Sequence, residues 1–197
     1  MSLTQGVALI VALIAIGWAI ATYNRLVQSR NRIANAFGQI DVQLKRRHDL
    51  VPNLVEVARK YLAHESQTLE AVARARASAV TAAETARGRP ADAGAIGALA
   101  VAEQGLAGSL GRLLALQESY PELKADQTLK RLSEELTSTE NRVGFARQAY
   151  NDDVLSFNDE ATQFPALIVA RLAGFAPAAM LQSTHSDAER AAPRVQL

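Results

Sequence analysis

The sequence predicts an all-α fold, an N-terminal transmembrane helix followed by an elongated antiparallel four-helix bundle, and three observations carry that reading. Hydrophobic residues fill 49% of the 197 positions but aromatic ones only 5%, so the apolar content is dominated by Ala, Leu and Val, which suit helices better than sheets. An unbroken apolar run opens the chain. Several later stretches then repeat apolar residues every three or four positions, the period of a helix with one buried face.

The opening run is read as an anchor over residues 1–22. No charged side chain occurs in residues 1–24, and Val7, Leu9, Ile10, Leu13, Ile14, Trp18 and Ile20 lie around the whole circumference of the helix it would form. About 21 residues at helical rise match a bilayer core of roughly 30 Å. Trp18 and Tyr23 stand where amphipathic rings favour the headgroups. Arg25, Arg30, Arg32, Lys45, Arg46 and Arg47 follow, against the single acid Asp41. That bias predicts a single-pass protein of the cell (inner) membrane with its bulk cytoplasmic. Ala19-Ile20-Ala21 would also suit signal-peptide cleavage, but a basic segment ahead of the apolar run is missing and the following arginines oppose export. Ala8 with Ala12 and Ala15 with Ala19 are spaced for close approach of two spans, which leaves a homo-oligomer open.

Residues 23–162 are read as the bundle. A first helix, 23–47, places Leu26, Ile33, Phe37, Ile40 and Leu44 on one face. Pro52 then favours a fresh start capped by Asp49 over a kink within one long helix of a three-helix rod. The second helix, 51–86, carries Leu54, Val55, Ala58, Leu62, Leu69 and Val72 and stops at Gly88-Arg89-Pro90. The third, 91–119, uses Ile96, Leu99, Leu106, Leu110 and Leu113 and closes before Pro121. The fourth runs from Leu129 through Leu132, Leu136, Val143 and Val154 to Phe157 in alternating three- and four-residue steps. Isolated helices are marginal in water, so these stripes must cover one another, in a bundle about 40 to 55 Å long.

Residues 163–175 form a short apolar segment in which Phe164, Leu167, Ile168, Leu172 and Phe175 surround Arg171. If the fourth helix returns to the membrane, this segment either lies in the interface or caps the bundle end. Residues 176–197, with Ser183, Ser186 and Pro193, read as a disordered tail.

Catalytic chemistry finds little support. Formal charge is +1, which offers no field for nucleic acid, and cysteine is absent. His48, His64 and His185 lie on separate segments, and none follows a Glu by three as helical di-metal sites require. Gly105, Gly108 and Gly111 lack the strand and the Gly-Lys-Ser/Thr ending of a phosphate loop, and so read as close helix packing or a loose helix. The expectation is no enzyme and no cofactor. Lys45-Arg46-Arg47-His48 reads as a solvated helix end, roughly 33 Å from the bilayer at helical rise. Asn31, Asn53, Glu65, Glu140, Tyr150, Asn151 and Asn158 fall at or beside the stripes. They predict either a hydrogen-bonded network that sets helix register or a polar groove for a ligand or peptide.

Tyr23-Asn24-Arg25-Leu26-Val27, Gln39-Ile40-Asp41-Val42-Gln43-Leu44-Lys45 and Asp49-Leu50-Val51-Pro52-Asn53-Leu54 together resemble the LemA family. So do Glu118-Ser119-Tyr120-Pro121-Glu122-Leu123, Glu140-Asn141-Arg142, Ala146-Arg147-Gln148-Ala149-Tyr150-Asn151, Phe157-Asn158 and Phe164-Pro165. The resemblance implies a bacterial single-pass protein with a helical cytoplasmic domain, no established biochemical activity, and magnetosome-associated relatives that point to membrane organisation. The Ala/Gly-rich stretch 82–108 departs from it. The function expected is a membrane-anchored interaction or scaffolding protein with the bilayer and unidentified proteins as partners; the alternative is a cytoplasmic-facing sensor or signalling module that binds a ligand or peptide along the bundle.

Overall fold

A computed structural model describes residues 3–62 and 64–181. Six helices account for most of them: α1 (Leu3–Arg59), α2 (Ser66–Gly88), α3 (Ala93–Ser119), α4 (Pro121–Ala125), α5 (Gln127–Thr162) and α6 (Ala166–Leu172). The fold is all-α, as composition and periodicity predicted. His185 and the expected disorder of residues 182–197 lie outside the described residues.

α1 is one helix of 57 residues, about 85 Å at helical rise. Its apolar N-terminal part touches little: Val7, Ile14 and Ile20 are all more than half exposed, and burial begins at Leu26. The helix does not end near Arg47. It passes through Pro52 to Arg59, so the first boundary predicted from the sequence is wrong, and the second helix starts at Ser66 rather than Val51. The physical reason lies outside the local sequence. Pro52 has no N–H for the carbonyl of His48 four residues back, and Arg76 of α2 supplies a donor instead, its Nε lying 2.7 Å from that oxygen.

The chain reverses after Ala58, whose carbonyl accepts the N–H groups of Tyr61 and Leu62 at 3.0 Å each. Leu62 closes the distal end of the core. α2 returns to Gly88, with Arg87 forked onto Asp41 of α1 at 2.8 and 2.9 Å. Asp92 accepts the Ala95 N–H at 2.8 Å and opens α3 as its N-cap. At the far end Asp126 caps α5 through the N–H groups of Thr128 and Leu129, and the Tyr61 hydroxyl donates to it at 2.9 Å. The Leu129 amide first, and then Tyr61, hold its carboxyl below the usual range.

α1 packs along α5 and beside α2, and α2 along α3, whereas α3 and α5 stand apart without that close backbone approach. The order is up-down-up-down, with an open seam between α3 and α5. Arg25–Glu160 and Arg32–Asp153 fix the antiparallel register of α1 and α5. Two apolar cores result. One lies toward the N-terminal apolar segment and includes Leu26, Ile33, Phe37, Leu99, Val154 and Phe157. The other is distal and includes Val51, Leu54, Val72, Leu106, Leu113 and Leu136.

Between them sit Arg47 and His48, both buried, so the predicted solvated helix end holds only for Lys45 and Arg46. Glu103 of α3 joins them: its carboxylate lies 2.6 Å from His48 Nε2 and 3.3 Å from Arg47 Nη1. An ionised carboxylate only accepts, so the imidazole nitrogen is the donor.

Beyond α6 the chain turns at Gly174, whose φ of +73° is the left-handed conformation that glycine adopts without penalty. Residues 175–181 then run as an extended strap back along α5. Residues 176–181 are therefore not part of a disordered tail: Ala178 and Leu181 are buried in the core.

Candidate groove between α3 and α5

The strap runs down α5 past the α2–α3 turn and enters the open seam only at Leu181, and α5 holds it through its backbone. Asn158 accepts the Ala178 N–H at 2.8 Å and donates its amide to the Ala178 carbonyl at 2.9 Å. Seven residues earlier on the same face, Asn151 repeats the pattern with Leu181, at 2.9 and 3.2 Å. Two helical turns span about 10.5 Å, and three extended residues cover about 10 Å, so the two pairs match in pitch. The Tyr150 hydroxyl lies 2.7 Å from the carbonyl oxygen of Ala179 and 2.8 Å from that of Pro90. With one proton it donates to one of them at a time, linking the strap to the turn between α2 and α3. Tyr150 is fully buried, its ring edge-on to Phe37 at 6.0 Å. Burial pushes its hydroxyl up to about 12, so it stays a neutral donor.

Below Leu181 the seam deepens into a cavity of about 190 Å³. Leu44, Leu99 and Val143 form its apolar floor, while Arg47, Glu103, Glu140 and Arg147 bring charge to it. Gly144 leaves it open on the α5 side, since a Cβ there would touch nothing within 4 Å. Among the described residues no group of three His, Asp or Glu side chains is placed to hold a metal ion.

Of the polar residues picked from the sequence, Tyr150, Asn151 and Asn158 converge on the strap, and Glu140 stands exposed at the cavity rim. The other three lie elsewhere. Asn53 is exposed on α1, and Asn31 faces a shallow opening beside the α2–α3 turn. Glu65 sits at the distal end, 3.5 Å from the Tyr120 hydroxyl. Arg47, Glu103 and Arg76 were missed because each looks like an ordinary surface charge until the helices are assembled.

At the opposite end, Tyr23 and Phe157 both contact the ring of Phe175, with centroids 5.7 and 6.2 Å away. α6 packs on α1 and α5 through Ala170, with Leu167 half-buried. Ile168 stays half-exposed, and Phe164 and Leu172 are 81% and 85% exposed. Nearby, Glu160 accepts from Ser29 at 2.6 Å and from Arg25. Burial raises its carboxyl, but these two hydrogen bonds and the charges of Arg25 and Arg32 outweigh that and hold it below the ordinary range.

Comparison with known proteins gives these features a context. Residues 36–197 match the model of the LemA family. Magnetosome protein MamQ 2 of Paramagnetospirillum magneticum is 27% identical over 178 residues, covering 81% of this chain and 64% of that protein. Magnetosome protein MamQ of Magnetospirillum gryphiswaldense is 26% identical over 171 residues, covering 78% and 62%. The chain thus spans somewhat less than two thirds of the length of these relatives.

Proposed function

Because the chain belongs to the LemA family, we propose that it is a membrane-anchored interaction protein, a scaffold that holds partners near a bilayer rather than an enzyme. The observation that carries this reading is α1. A single helix runs from an apolar segment exposed on all sides into the bundle core without a flexible joint, so a bilayer around the first part would hold the second upright on it. The relatives named as magnetosome proteins support a membrane-associated role. The arginines after the apolar segment favour a cytoplasmic bundle at the inner membrane.

In that pose α6 belongs to the interface. Pairing of Arg25 with Glu160 sets Thr162, the last residue of α5, level with Tyr23 of α1, and Phe164 follows two residues on. Phe164, Ile168 and Leu172 then meet the acyl boundary while Arg171 reaches the headgroups.

A second reading, a sensor that takes a peptide, is favoured by the face of α5 that leads into the seam between α3 and α5, which already holds an extended segment through its backbone. Proximity labelling with the membrane-embedded full chain tests the first reading. Reproducible neighbours are expected; a protein that labels only itself as a monomer would remove it. A phosphatase reporter fused to the C-terminus that proved active would place the bundle on the far side.

A further inference from the structure

We infer that the face of α5 above the α2–α3 turn, continued into the seam between α3 and α5, is a peptide-binding groove whose resident occupant is the chain's own strap, and that it accepts in trans an extended partner segment with a small residue followed three positions on by leucine. This deepens the interaction reading above and rests on it.

Backbone recognition comes first. A side-chain amide that accepts an N–H and donates to the C=O of one residue reads main chain and ignores side chain. Asn158 and Asn151 do this to Ala178 and Leu181, at a spacing that suits an extended strand and no helix. Any extended segment offers the same groups.

Beyond Phe175, whose ring rests on Tyr23 and Phe157, side-chain selection falls on two positions. Ala178 and Leu181 are buried, whereas Ala176, Pro177 and Met180 face outward. Ala178 lies flat against α5 beside Asn158, where a larger residue would lift the backbone off its clamp. Leu181 reaches the mouth of the cavity over Val143 and Leu99. The occupant is therefore specified as small-x-x-Leu.

Room and release complete the case. The cavity continues past Leu181 for about 190 Å³, with Arg147 and Glu140 at its edge, so the groove is longer than the described strap. The strap hangs from exposed Gly174 in its left-handed turn, and the α2–α3 hairpin stops short of covering it, leaving Ala176, Pro177 and Met180 exposed. It has the geometry of a bound ligand on a tether. At the high effective concentration of a tethered segment it outcompetes free peptides until a partner is itself concentrated at the membrane.

The test uses full-length protein in lipid nanodiscs and a fluorescein-labelled peptide with the sequence of residues 175–181. Parent protein is expected to bind it at least tenfold more weakly than an Ala178→Arg/Leu181→Gly variant whose own strap is released. Adding Asn151→Ala and Asn158→Ala should abolish the gain, as should replacing the peptide's leucine with glycine. Because the chain has no cysteine, Gly144→Cys with Leu181→Cys gives a second route that keeps the strap sequence near native. Peptide should bind the reduced form and be excluded from the oxidised, locked form. Released-strap protein that keeps its helical circular dichroism yet binds no peptide would overturn the proposal, and so would equal binding to the reduced and oxidised forms. Strap-to-groove crosslinks found only between two copies of the chain would overturn it in favour of self-association. Proximity labelling separates this from the parent reading: neighbours unchanged by Asn151→Ala/Asn158→Ala remove the groove but keep the scaffold, and no neighbours at all remove both.

Discussion

Two single side chains show how burial turns ordinary chemistry into structure. Tyr150 serves two carbonyl oxygens with one proton, so Tyr150→Phe removes their shared donor and is expected to cost about 1 to 3 kcal/mol in urea denaturation. Its pH signature is separate. Between pH 10, where an unfolded tyrosine ionises, and about 12, the unfolded chain has released this proton while the folded chain keeps it, so rising pH favours unfolding. Parent protein should lose stability across that window by one ionisation more than Tyr150→Phe does. Arg76 is the second case. Arg76→Met leaves the His48 carbonyl without its donor and should cost about 1 to 3 kcal/mol. Pro52→Ala restores the helical N–H to that oxygen, so it should stabilise the Arg76→Met background more than the parent. Equal gains in both backgrounds would disprove the link between the proline and the arginine.

Elements differ in how far their own sequence determines them. α5 is amphipathic along its length and begins at a capping Asp126, so it needs little help. α3 is looser: Gly105, Gly108 and Gly111 are exposed, and a Cβ at any of them would meet open space. They allow no close helix approach and only weaken the helix, so alanine at each should raise stability by about 0.5 to 1 kcal/mol, read as a shift in melting temperature. α6 has only seven residues and cannot persist alone. One of its faces rests on α1 and α5, and the interface reading gives the other to lipid. With Trp18 replaced by Phe, a Phe164→Trp reporter in nanodiscs should be quenched by brominated acyl chains. Emission at the wavelength of a water-exposed indole, indifferent to bromine, would place α6 in solvent.

At the scale of the whole molecule, the bundle is two apolar cores divided by a charged layer. Glu103 compensates both Arg47 and His48, so Glu103→Ala leaves buried donors without an acceptor and should cost about 3 kcal/mol or more. If the layer only spaces the cores, Glu103→Leu will be tolerated better than Glu103→Ala, and comparison of their urea midpoints decides it. The strap's place follows from the length of the α2–α3 hairpin. α2 and α3 turn back at Gly88–Asp92, well short of the end of α5, and α6 with the strap fills the space that a longer hairpin would cover.

Much was already determined by sequence, because it depends on period and composition alone: the apolar opening helix, four long amphipathic helices, the all-α class and the family resemblance. Tyr150, Asn151 and Asn158 were also recognisable as polar residues in apolar stripes. What they bind was not, since their partners lie 20 to 30 residues away in a strap whose composition reads as tail and, for Tyr150, also 60 residues away at Pro90 in the α2–α3 turn. The course of α1 through Pro52 was decided by tertiary structure for the same reason. A proline's local penalty is visible in the sequence, whereas the arginine that offsets it comes from another helix. Period and composition are properties of neighbours along the chain; hydrogen-bond satisfaction of a buried group is a property of neighbours in space, and only the assembled bundle supplies those.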